Sequence, residues 1–304
     1  MIFFLTVLSL FTCQEDDATA LEIDDSVFTI AQYDGTLNAP FGDLPYRVFY
    51  PTAFDDQTFV IILSRGGNGQ GDDRGALLSY ANKFVLEGYV VVQIDHRNAG
   101  SNIENIAQLR GEEIQFLSDQ IAKGTIDYGN FLGSIDGTKQ GYIGHSAGAM
   151  EGLLSAGMDM NHGNYLCPAI KAVYAMSPPG YSPDQFGIKQ SPNGFSTINQ
   201  TAVLMIIGEA EKDSNGMETI NQEDWRLQGY EQMNEDGLRI QILVEGDNTG
   251  HNDIAGLNRD IKTFNEENSI VLFDTYLKGL NSAMEIGNIA LPSNNNLVFK
   301  KKGE

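Results

Sequence analysis

The sequence predicts an α/β fold with a mainly parallel central sheet and helices on both of its faces. Three observations carry that expectation. Short, continuous apolar runs have the length and composition of strands buried on both faces. Stretches with helical spacing lie between them. The strand-like and helix-like runs also alternate along the chain, and that order builds parallel sheets.

Taken in order, "YRVFYPT" and "TFVIILSRG" read as strands, the second apolar throughout. A helical stretch spans about residues 75 to 87 and is followed by the buried strand "YVVVQIDHR". "IENIAQLRGEEIQFLSDQIAKG" spaces Ile, Leu and Phe as a helix does and ends at a glycine. "GYIGHS" passes from strand to turn, and "IKAVYAMS", "AVLMIIG" and "RIQILVEG" are three more strands. "SIVLFDTYLKGLNSAM" is expected to be a closing helix. With no repeat and no Pro- or Ser-rich linker, one domain over residues 26–304 is the economical organisation.

Composition limits what such a domain does. The chain has 304 residues, 41% of them hydrophobic, enough to bury a substantial core. Its formal net charge of −22 repels phosphates and argues against a nucleic-acid partner. The opening "MIFFLTVLSLFTCQEDD" is apolar but too short to span a bilayer. Leu-Phe-Thr-Cys resembles the lipobox of bacterial lipoproteins, in which the cysteine is lipidated. The acidic residues behind Cys13 resemble a surface-export signal of Bacteroidetes lipoproteins. No Lys or Arg precedes Arg47, so the usual basic segment is missing. The resemblance implies a signal peptide over 1–13, an acidic tether over 14–25, and membrane attachment only through lipid on Cys13, at the outer membrane or cell surface. Cys167 then has no disulfide partner and is expected to be a buried hydrophobe. No spacing suits a structural zinc site, and there is no HExxH pair.

The most informative stretch is "GYIGHSAGAMEG". Gly144-His145-Ser146-Ala147-Gly148 fits the Gly-x-Ser-x-Gly nucleophile elbow, between a strand and a helix as that turn requires. A nucleophilic serine needs a base, and four histidines compete for the role. His145 is expected to point away from the reacting face, His96 falls early in the chain, and His162 sits in a short polar loop. His251 follows the last strand of the sequence reading and is the expected base. The loop "GEAEKDSNG" offers Glu209, Glu211 and Asp213 as the acid. Asp213 is the first choice, Glu211 the next, and Asp184 a weaker alternative after the preceding strand. The glycines of "LSRGGNGQG" let backbone N–H groups turn toward a developing oxyanion, which nominates Gly67 together with Ala147. The same loop does not complete a Gly-x-Gly-x-x-Gly or Gly-Lys-Ser/Thr phosphate motif.

From about residue 45 to 285 the chain resembles α/β-hydrolases of the dienelactone-hydrolase and platelet-activating-factor-acetylhydrolase-like group, which includes polyester hydrolases. "VIILSRGGNG", "SIDGTKQGYIGHSAGA", "AVLMIIGEAEKDS" and "ILVEGDNTGHNDIAG" carry the resemblance. Three departures stand out. Arg65 replaces the usual histidine before the oxyanion glycine, the acid loop carries about two extra residues, and the histidine loop is longer. The resemblance implies an α/β-hydrolase fold without a large lid, acting on carboxylic esters through an acyl-enzyme, with no metal or cofactor. A small or polymeric ester is the implied substrate. A peptidase or amidase on the same residues and a non-catalytic surface lipoprotein are the alternatives.

Overall fold

The structure is a computed structural model and describes residues 29–67, 69, 73–100, 103–160, 163–180, 194–212, 226–280, 291 and 295–303. Cys13, His162, Asp184 and Asp213 lie outside the described residues, as do the expected signal peptide and tether.

The described strands are β1 (Ile30–Ala39), β2 (Gly42–Pro51), β3 (Gln57–Ser64), β4 (Val90–Ile94), β5 (Ser134–His145), β6 (Ile170–Met176), β7 (Ala202–Gly208), β8 (Arg239–Glu245) and β9 (Asn296–Lys302). The helices are α1 (Leu78–Leu86), α2 (Ile103–Ala122), α3 (Ala147–Ser155), the short α4 (Gln228–Gln232) and α5 (Arg259–Phe273). One sheet holds the strands in the order β1-β2-β4-β3-β5-β6-β7-β8-β9. The run from β4 to β8 is parallel. β1 and β2 join antiparallel at one edge and β9 at the other. The molecule is therefore α/β, with a mostly parallel sheet that is mixed at its margins.

The inner strands are apolar because both faces are covered. Along β3, Val60 and Ile62 enter the core shared with α2 and α3, while Ile61 and Leu63 enter the core shared with α1 and α5. That alternation follows from the two-residue repeat of a strand. α5 is capped by Asn258, whose side chain accepts from the N–H groups of Asp260 and Ile261. It begins ahead of the expected "SIVLF" stretch: its first turns bury Ile261 and Phe264, but the buried polar Asn265 and Asn268 interrupt the apolar stripe. Among the described residues no helix is long and apolar enough to cross a membrane.

Two features of the topology locate a site. Loops that follow parallel strands all emerge at one edge of the sheet. The chain also steps from β3 out to β4 and then back across β3 to β5, so the order reverses between β3 and β5. Loops diverge at such a reversal and leave a crevice at the carboxyl ends of the strands. The loops after β3 and β5 carry Gly66-Gly67 and Ser146; those after β7 and β8 carry Glu211 and His251.

Candidate active site

Ser146 joins β5 to α3 at φ +57° and ψ −119°. A non-glycine residue adopts such backbone at a cost of about 1–3 kcal/mol, so the surrounding structure has to enforce it. Its N–H donates to Met176 O at 2.9 Å. The flanking glycines are required by contact. A Cβ on Gly144 would collide with the backbone carbonyl of Gly148, and one on Gly148 would collide with that of Ser64 on the neighbouring strand. Gly66 has the same constraint from the other side: a Cβ there would stand 2.7 Å from Ser146 Cβ and 3.2 Å from its Oγ. The loop after β3 thus lies against the serine side chain.

Glu211 is the carboxylate that meets the histidine. Its Oε2 lies 2.9 Å from His251 Nδ1, and its side chain is fully buried, whereas that of His251 is 32% exposed. Oε1 accepts from Ser177 Oγ at 2.8 Å and from the Gly208 N–H at 2.8 Å. Arg226 Nε stands 3.1 Å from Oε2. Burial raises the carboxyl pKa, but the Arg226 charge, the His251 contact and the Gly208 N–H outweigh it and hold Glu211 below its ordinary range. Glu211 is thus a carboxylate at neutral pH. An acceptor at Nδ1 requires Nδ1–H, which leaves Nε2 free to take a proton. The first-choice acid, Asp213, is outside the described residues; of the described carboxylates in that loop, Glu211 is the one that meets His251. Glu209 points elsewhere, accepting from the Gly246 N–H at 2.8 Å.

His145 corrects the sequence reading. Rather than pointing away, its ring packs on that of His251, with centroids 4.5 Å apart. Its Nε2 lies 3.0 Å from the His251 carbonyl oxygen, which can only accept, so Nε2 carries the proton. Burial, and then the neighbouring His251, push the His145 pKa down from 6.5 to about 4. It is a neutral prop under the loop that carries His251. This contact also brings His251 alongside the elbow, since His145 is the residue before Ser146.

The glycine loop completes the crevice. Gly67 sits at φ +106°, open to glycine alone. Ala147 is the first residue of α3, where N–H groups have no partner within the helix. Arg65, which stands where the resembled group has a histidine, bonds the buried Asp73 through Nε. His96 is buried between Ser64 and Glu113, away from His251. Cys167 is buried as expected, and burial pushes its thiol pKa up to about 12, so it is no nucleophile at neutral pH. A groove of about 740 Å³ near Phe41, Phe116 and Leu166 includes none of the site residues. Among the described residues no group of three His, Cys, Asp or Glu is arranged to hold a metal ion.

Arg226 and Ser177 were missed by the sequence analysis. Neither belongs to a motif, and each meets Glu211 only across the fold, Arg226 also donating to the carbonyl oxygens of Ser177 and Pro178. Comparison of the chain with protein-family models and with curated proteins finds no match.

Proposed function

We propose that this chain is a serine hydrolase of the α/β-hydrolase fold that cleaves carboxylic esters through an acyl-enzyme. The observation that carries the reading is Ser146 on its strained turn, with the neighbouring His145 packed on the ring of His251, which in turn meets the buried Glu211, at one edge of a parallel sheet. The chain order serine, acid, histidine suits that fold. In this mechanism Ser146 Oγ attacks the ester carbonyl carbon while His251 Nε2 takes its proton. Glu211 holds the Nδ1–H and balances the imidazolium charge. The N–H groups of Gly67 and Ala147 stabilise the tetrahedral oxyanion. The alkoxide leaves with the proton from His251, and water, activated by the same imidazole, releases the acid.

Esters are favoured over amides by the sequence resemblance. An N-terminal lipid on Cys13 would tether the enzyme at the cell surface, facing extracellular esters.

The direct test is labelling with a fluorophosphonate probe, alongside hydrolysis of matched p-nitrophenyl esters and p-nitroanilides. The expected outcome is stoichiometric label on Ser146, ester turnover exceeding amide turnover, and loss of both label and turnover in a folded Ser146→Ala variant. A folded Ser146→Ala protein that keeps a tenth of the activity refutes the assignment. Amide turnover equal to ester turnover would make the chain a peptidase or amidase instead.

A further inference from the structure

Beneath the glycine loop lies a buried charged cluster that the reaction does not use. It comprises Ser64 at the end of β3, His96 after β4, Arg110 and Glu113 on α2, and Glu151 on α3, none more than 5% exposed. Glu151 Oε2 accepts from Ser64 Oγ at 2.8 Å and from Arg110 Nη1 at 3.0 Å. His96 spans the rest, with Nδ1 2.7 Å from Glu113 Oε2 and Nε2 3.1 Å from Ser64 Oγ. Desolvating two carboxylates and a guanidinium is costly, and apolar side chains filling the same volume would serve stability at least as well. The cluster therefore calls for a reason other than stability.

That reason is where the second arm of the guanidinium goes. Arg110 Nη2 leaves the cluster and donates to the carbonyl oxygen of Gly67 at 3.2 Å. Gly67 is the residue whose N–H is assigned to the oxyanion, and as a glycine at φ +106° it has no side chain of its own to hold that conformation. Through Nη1 the same guanidinium holds Glu151, one turn along α3 from Ala147, the second donor. The planar fork of arginine keeps its two arms in fixed relation, which an ammonium cannot do.

We propose that Arg110 is the positioning residue of the oxyanion hole. It clamps Gly67 and the elbow helix in one register, so both donors converge before the negative charge develops. The proposal rests on the serine-hydrolase reading above.

Arg110→Lys tests it, because lysine keeps the charge opposite Glu151 but offers one nitrogen for two partners. Arg110→Met/Glu151→Met is the second variant; it removes the buried charges together and so avoids leaving either one alone. Losing an oxyanion donor outright typically costs about a hundred- to a thousand-fold in kcat, and a loosened donor should cost less, about thirty-fold. Both variants are expected to show that fall per active site titrated with fluorophosphonate, with KM within two-fold of wild type. The inhibition constant of an alkyl trifluoromethyl ketone, whose adduct places an oxyanion in the hole, should rise by the same factor. A merely structural role would lower the number of titratable sites and leave kcat per site unchanged. Unchanged kcat per site in either variant overturns the proposal, as does a failure of both variants to fold, which would make Arg110 a folding residue. If wild-type protein neither hydrolyses esters nor takes the label, the serine-hydrolase reading has failed. If wild type is active and the variants match it, Arg110 alone has been misassigned.

Discussion

Replacing Glu211 with glutamine keeps the size of the side chain and deletes the charge at the centre of a four-partner site. The carboxylate accepts at Oε1 from Ser177 and Gly208, and at Oε2 it faces His251 and Arg226. An amide has only one oxygen to offer. If its oxygen takes the Oε1 position, the NH₂ faces Arg226 and donates to Nδ1, which forces the proton onto Nε2 and disarms the base. If the oxygen takes the Oε2 position, the tautomer survives, but the NH₂ confronts the buried Gly208 N–H, a mismatch of about 1–3 kcal/mol. The imidazolium loses its counter-charge in both cases. A lost triad acid costs up to about ten-thousand-fold in kcat. The second orientation softens that, so the expected fall is about a hundred- to ten-thousand-fold, or about 3–5 kcal/mol of barrier. Removing the charge opposite buried Arg226 also destabilises the fold by about 3 kcal/mol, so rates must be normalised to active sites. The assay is p-nitrophenyl acetate hydrolysis per titrated Ser146, with Asp213→Asn and Asp184→Asn in parallel, both expected within a few-fold of wild type. A Glu211→Gln enzyme with more than a tenth of wild-type activity, beside a crippled Asp213→Asn or Asp184→Asn, refutes the reasoning.

Two further outcomes are expected. His145 is neutral in the fold and its pKa is depressed from 6.5 to about 4. Its contribution is present above pH 6.5 and lost as pH falls toward 4, because the unfolded chain takes up the proton first; the loss is about 3 kcal/mol. Urea titrations at pH 7, 5.5 and 4 should therefore show a steeper acid decline for wild type than for His145→Gln, and parallel declines would disprove the buried neutral state. If Cys13 carries lipid, the wild-type chain partitions with membranes and Cys13→Ala is released or left unprocessed; unchanged fractionation together with an unmodified N-terminus upstream of Cys13 would end that reading.

What could be read from the sequence follows from how locally each signal is encoded. The inner strands advertise themselves because burial on both faces demands uninterrupted apolar residues, as in "AVLMIIG". The elbow is legible because steric demands fall on the serine's own neighbours, Gly144 and Gly148. β1 and β9 escaped notice because an edge strand needs little apolar surface: "IAQYDGTLNA" and "NLVFKKK" pair through backbone and stay half exposed. The acid was ambiguous for a different reason. Three carboxylates share one loop, and among the described residues only contacts across the fold set Glu211, which meets His251, Arg226 and Ser177, apart from Glu209. Buried arginines are harder still, since arginine is ordinarily a surface residue; nothing beside Arg110 or Arg226 in the chain announces the groups they reach.

The strand β9 has a consequence for how the molecule lives among copies of itself. β8 is almost wholly buried, Arg239 and Gln241 included, and it carries the loop of His251. Bare, its outer rim would be a row of unpaired amides and carbonyls, open to the same rim of another copy. β9 satisfies that rim antiparallel from Asn296 to Lys302 and presents Lys300, Lys301 and Lys302 near the new margin. Lys300 is steadied by Glu231 at 2.6 Å. Two such margins would bring like charges together before their backbones could pair. In a chain with a net charge of −22, three consecutive lysines here close off the sheet and keep it finite.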